Sequence, residues 1–239
     1  TVFMKLDTKR TVLIGFGFMS ILAFWQFYDQ VIPHLLENVF GLRTFTTNAI
    51  MSIDNVSSLV LLPLFGTLSD KTKTPLGRRT PYILFGTLVA VCLMGVLAAA
   101  TAKNSFPLFF AALLALLVTM STYRSPAVAY MPDVTPKPLR SKANAIINLM
   151  GAVGGILYLL ITTFLYKTKS DTYISYLPLF AIVGGIMLAA LAVVMFLVNE
   201  PKLVAEQKQY EEAHPEDNLT LAEESGESLP ADVKKSLSF

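Results

Sequence analysis

Six apolar runs follow one another at short intervals: Thr11–Ile32, Thr44–Leu68, Pro81–Ala102, Phe106–Tyr130, Asn144–Tyr166 and Tyr176–Val198. Each is long enough to cross a bilayer, which takes about 20 residues of helix. In hydrocarbon the backbone has to satisfy its own hydrogen bonds, so runs of this kind are helical. Of 239 residues 54% are apolar and 15% charged, too little polar surface to clothe a soluble domain. The expected class is an all-α membrane protein, a bundle of six transmembrane helices.

With six crossings, the N-terminus, the 2–3 and 4–5 loops and the C-terminal segment share one side. Lys5, Lys9, Arg10, Lys71, Lys73, Arg78, Arg79, Lys137, Arg140, Lys142, Lys202, Lys208, Lys234 and Lys235 fall there, 14 of the 19 basic residues. The opposite side holds Arg43, Lys103, Lys167 and Lys169, and Arg124 is left within the membrane. Lys and Arg accumulate in cytoplasmic loops, so both termini are expected in the cytoplasm, with the protein in the cell (plasma or inner) membrane. The first run follows basic residues as a signal peptide does. It is longer than a signal core, however, and ends in Tyr28-Asp29-Gln30 without a small-residue cleavage site.

Beyond Val198 the composition changes. Ten acidic residues stand against four lysines between Asn199 and Phe239, a net charge of −6. Residues 1–198 therefore read as the transmembrane domain and 199–239 as an acidic, flexible cytoplasmic linker or tail, within which Glu200–Glu212 suits a surface helix. Lys234-Lys235 before Ser-Leu-Ser-Phe looks like the basic flank of a further membrane helix, and the chain opens on Thr1. A fragment, or one half of a longer protein, is the expectation.

Two loops carry specific patterns. Gly66-Thr67-Leu68-Ser69-Asp70-Lys71 ends the second run, and Gly77-Arg78-Arg79 leads into the third. Gly66 permits close approach of a neighbouring helix. Asp70 is placed to accept from Arg78, Arg79 or a helix N-terminus, and Thr80-Pro81 supplies an N-cap and first-turn proline. Asp133-Val134-Thr135-Pro136 through Arg140 closes the fourth run as acidic-x-x-Pro-x-x-x-Arg. Asp133 is expected to pair with Arg78, and Asp70 with Arg140.

These patterns resemble the loops of major facilitator superfamily transporters. The longer 2–3 loop, with Thr72-Lys73-Thr74-Pro75, resembles sucrose–proton symporters and glycoside–pentoside–hexuronide cation symporters. Ala143-Asn144-Ala145 and Ala152-Val153-Gly154 are similar to the start of helix 5 in sucrose symporters. The resemblance implies one six-helix half built as a 3+3 inverted repeat, with a substrate site between two halves. It also implies a conformational latch of Gly66, Asp70, Gly77, Arg78, Arg79, Asp133 and Arg140.

Three ionisable residues lie inside the runs, where a charge is tolerated when it faces a partner or water. At about 1.5 Å per residue, Arg124 sits roughly 13 Å above Asp133, Asp54 about 24 Å above Asp70, and Asp29 about 27 Å beyond Thr11. Arg124 is the candidate for a central charge that binds substrate, or alternatively an ion-pair partner that positions helices. Asp54 is the candidate proton carrier, since removal from water disfavours a charged carboxylate; a packing role competes with it. Asp29 is second in line for coupling, or else an interface residue. Gln26, Asn55 and Asn148 offer hydrogen bonds to sugar hydroxyls, and Trp25 and Tyr28 offer stacking or interfacial anchoring. On the fifth run Asn144, Asn148, Gly151 and Gly155 form one stripe, the glycines read as packing positions.

No phosphate loop, no nucleophile with a base and no metal-ligand spacing is present, so neither catalysis nor a cofactor is expected. Cys92 is the single cysteine, which leaves no internal disulfide. The expected function is secondary active transport of a sugar or glycoside coupled to protons or another cation by alternating access. Its partners are the solute, the coupling ion, the bilayer and a second six-helix half, with no nucleic acid. A six-helix channel and a non-transporting membrane subunit or scaffold are the alternatives.

Overall fold

The computed structural model describes residues 7–167 and 176–213. Seven α-helices make up nearly all of it: α1 Thr8–Asn38, α2 Thr44–Lys71, α3 Thr80–Ala102, α4 Phe106–Asp133, α5 Arg140–Lys167, α6 Leu177–Leu197 and α7 Glu200–Ala213. No strand occurs among the described residues. The first six are long and apolar enough to cross a membrane. They follow the six apolar runs; α1 to α5 match or extend theirs by up to a turn or two, and α6 is one residue shorter at each end. Pro33, Pro63 and Pro126 lie inside helices, as membrane helices tolerate when neighbours satisfy the freed carbonyls.

The packing has an internal symmetry. α1 packs mainly on α5 and α6, α3 on α4 and α6, and α2 on α4. Exchanging α1 with α4, α2 with α5 and α3 with α6 turns this pattern into itself. Contacts within each group of three are sparse by comparison, so each three-helix unit buries its apolar faces against the other. That is the arrangement of a 3+3 repeat.

Aromatic and aliphatic side chains fill the centre. Phe27 of α1 meets Phe180 of α6 edge-on at 4.9 Å and Tyr158 of α5 at 6.3 Å. Small residues let the backbones close up. A Cβ on Gly154 would lie 2.1 Å from the carbonyl oxygen of Met19, and one on Gly151 would lie 2.5 Å from Leu22. Gly155, expected as a contact position, meets only Gln26 at 3.7 Å; the helical stripe turns Gly154 to α1 instead. Outward faces stay apolar: Phe45, Leu59, Phe85 and Phe196 are all exposed, which is stable in a lipid solvent and costly in water.

The acidic segment is not uniformly tail-like. Its first part, α7, docks beneath the bundle, with Glu200 buried and Arg10 of α1 bonded to Glu206 at 2.5 Å. Composition alone misses this, because a single buried carboxylate with enough donors outweighs the polarity of its neighbours. The Lys234-Lys235 segment and the rest of 214–239 lie outside the described residues.

Candidate functional site

α1, α2 and α4 border an open groove of about 560 Å³ lined by Leu22, Trp25, Tyr28, Asp29, Asn48, Met51, Ser52, Asp54, Asn55 and Arg124. The volume lies in the range of small-molecule sites. Helical spacing explains the lining. Residues 22, 25 and 29 of α1, and 48, 51, 52 and 55 of α2, follow i, i+3, i+4 and i+7 steps, so each set shares one face. Asn48 and Ser52 join the expected Asn55 on this face, seven and three residues before it.

Five of the expected side chains thus meet Arg124 in one place: Trp25, Tyr28, Asp29, Asp54 and Asn55. The guanidinium carbon of Arg124 stands 5.4 Å from the centroid of the Trp25 ring, in cation–π range. Trp25 is held edge-on by Tyr28 and by Phe24, each at 5.3 Å between centroids. Asp54 feels the charges of both Arg124 and Asp29. Among the described residues no ion pair joins Arg124 to either carboxylate. Next along α4, Ser125 donates to the Leu62 carbonyl of α2 at 2.8 Å, tying the two walls together.

Two expected contributors stay outside the lining. Gln26 turns towards α5, near Gly155. Asn148 is exposed and donates to the backbone and side-chain oxygens of Asn144, at 2.8 and 3.1 Å.

A second cluster lies at the end of the bundle that carries α7. Arg79 is buried at its centre. Its Nε donates to Asp133 at 2.7 Å, Nη1 to Ser69 and to the Gly66 carbonyl at 3.4 Å, and Nη2 to Asp70. Arg78 pairs with the other oxygen of Asp133 at 3.2 Å. One planar guanidinium thereby fastens the end of α2 to the end of α4.

The expected Asp70–Arg140 pair does not form, because Arg79 takes Asp70 and α4 needs Arg140 elsewhere. Pro136 follows Pro132 by four residues and Pro138 follows Thr135 by three, the positions from which a helical N–H would serve those carbonyls, and neither proline has one to give. Arg140 supplies the missing donors, at 2.8 Å to Pro132 and 3.1 Å to Thr135.

The cap of α3 also differs from expectation. Arg79, not Thr80, occupies the cap position, and no side chain of the loop caps the helix. Glu200 reaches across instead. Its carboxylate accepts from the backbone N–H groups of Arg78 (2.9 Å), Arg79 (3.0 Å) and Thr80 (2.8 Å), and from the Thr80 hydroxyl at 2.7 Å. Helix N-termini favour such a negative group. Gly77 makes room for it: its φ is +109°, and a Cβ there would lie 2.2 Å from Glu200 Oε2. The signal available in the sequence was only position, Glu200 being the first acid after the sixth run.

A family model described as Major Facilitator Superfamily matches residues 10–235. Over 174 residues the chain is 28% identical to "MFS transporter fmqE" of Aspergillus fumigatus, a match covering 71% of this chain and 31% of that protein. Over 130 residues it is 27% identical to "Alpha-ketoglutarate permease" of Escherichia coli, covering 54% of this chain and 29% of that protein. The chain spans less than a third of the length of these relatives.

Proposed function

The chain belongs to the major facilitator superfamily, and from that membership we propose that it supplies the N-terminal six-helix half of a proton- or cation-coupled sugar symporter. The observation that carries the proposal is the groove in which one arginine, two carboxylates, two amide side chains and two aromatic rings meet. Arg124, Asn55, Trp25 and Tyr28 hold the solute. Asp54 takes the coupling proton, with Asp29 as its alternate. A second half, from the same or another chain, closes the site from the opposite side.

Alternating access needs a barrier that opens and shuts at one end. The Arg79 cluster suits that task because it ties α2 to α4, the two helices that wall the groove, at a point that shares no residue with the groove lining. Loading of the groove then biases the equilibrium between inward- and outward-open states, by as much as solute and proton favour one of them. The basic loops set the orientation, with both termini in the cytoplasm and the protein in the cell membrane.

Uptake by the protein reconstituted into liposomes tests this reading. Saturable solute accumulation driven by an imposed proton gradient and stopped by a protonophore is expected. A steady ion current without saturable uptake would identify a channel instead.

A further inference from the structure

A second open groove, of about 570 Å³, runs between the loop of residues 72–79 and α7. Lys73 and Arg78 line it from the loop and Lys208 from α7, together with Asp70 and Glu200. On α7 the lining residues Pro201, Val204 and Lys208 follow at steps of three and four, so one helical face supplies them. The carboxylates of this region are already taken. Glu200 accepts from the N–H groups of Arg78, Arg79 and Thr80 and from the Thr80 hydroxyl. Asp70 accepts from Arg79, and Asp133 pairs with both Arg78 and Arg79. The lysines are not taken. Lys73 and Lys208 are exposed, and among the described residues neither is joined to a carboxylate by an ion pair. What the groove offers a ligand is therefore positive charge, from the loop on one side and from α7 on the other.

We propose that this groove binds the phosphate of an anionic lipid headgroup, held between Lys73 of the loop and Lys208 of α7. Arg78 is the third contact: it spends one nitrogen on Asp133 at 3.2 Å and keeps 40% of its side chain exposed. Free phosphate would meet the same cations, but the surroundings favour lipid. Leu76 stands between the lining residues Pro75 and Gly77, and Leu68 accepts through its carbonyl from the lining residue Thr72. Both leucines are 48% exposed, an apolar flank that suits acyl chains. The loop joins α2 to α3, each long and apolar enough to cross a membrane, which keeps the groove at the level of the headgroups. Basic residues at that level attract anionic lipid.

The site has a consequence for the neighbouring cluster. Lys73 belongs to the loop that carries Arg79, and Lys208 to the helix that carries Glu200. A phosphate that bridges the two lysines fastens α7 to the loop a second time, beside the Glu200 contact. Lipid bound only to the docked form of α7 stabilises that form by mass action. Both lysines face water, so added salt weakens the contact.

Native mass spectrometry of the purified chain in nonionic detergent tests the site, with phosphatidylglycerol, phosphatidylcholine and glycerol 1-phosphate as probes. Phosphatidylglycerol is expected to bind more tightly than phosphatidylcholine, whose phosphate carries a compensating cation. It is also expected to outbind glycerol 1-phosphate, which has the phosphate without the acyl chains. Neither comparison needs a variant. Lys73→Gln and Lys208→Gln should each weaken phosphatidylglycerol about fivefold. Lys103→Gln, at the C-cap of α3 and so at the opposite end of the bundle, should leave it unchanged. All three lysines are exposed, so each variant should keep the parent's thermal midpoint in the absence of lipid. Equal binding of the two lipids, a double Lys73→Gln, Lys208→Gln variant that binds as the parent does, or an equal loss in Lys103→Gln overturns the proposal. Glycerol 1-phosphate bound as tightly as the lipid would also overturn it, in favour of a soluble phosphate.

Discussion

Arg79 commits all three of its guanidinium nitrogens to partners on α2 and α4, and a lysine ammonium cannot reproduce that fork. Arg79→Lys and Asp70→Asn are both expected to slow translocation. Solute affinity at equilibrium should stay within a few-fold, because the cluster contributes nothing to the wall of the Arg124 groove. Separate measurement of transport rate and of binding checks the split; a collapse of affinity in a folded variant would contradict it. Glu200 permits a complementary test of stability. Glu200→Ala removes the acceptor of the Arg78, Arg79 and Thr80 N–H groups, at about 1–3 kcal/mol for each of the buried pair at Arg79 and Thr80. Its thermal midpoint in detergent should fall clearly, and Glu200→Gln, which keeps one carbonyl oxygen, should fall less.

Helix contacts make their own demands. The α1–α5 interface closes on Gly154, where any side chain meets the Met19 carbonyl. Gly154→Ala should force the helices apart and cost about 1–3 kcal/mol as overpacking. Gly185 of α6 has nothing near its missing Cβ, so Gly185→Ala should be neutral or slightly stabilising. Equal thermal midpoints for the two variants would contradict the packing described. The helices themselves were legible from the sequence, because hydrocarbon permits no other structure for runs of that length. The faces of α1 and α2 were legible in part. Trp25, Asp54 and Asn55 stand out chemically, whereas Asn48 and Ser52 gain meaning only once packing on α4 fixes the rotation of α2. The contacts of Arg140 are not legible from charge complementarity, because they go to backbone carbonyls that Pro136 and Pro138 cannot serve. The docking of α7 escaped because one buried glutamate is invisible in a segment averaged as acidic.

At the scale of the molecule, two three-helix units pack across each other, and every strong contact has its counterpart under exchange of the units. The Arg124 groove and the Arg79 cluster share no residue, and the cluster lies at the end of the bundle that carries α7. Its orientation is testable apart from transport. With Cys92 replaced, a cysteine at position 73 should resist an impermeant reagent added outside sealed cells, and one at position 103 should react. Labelling at 73 would reverse the topology. The central claim, that Asp54 couples the proton to the solute, meets its most direct test in reconstituted Asp54→Asn protein. Exchange of solute down its own gradient should persist while accumulation driven by a proton gradient is lost. Accumulation that survives in Asp54→Asn would contradict the account and move coupling to another group, with Asp29 the next to examine.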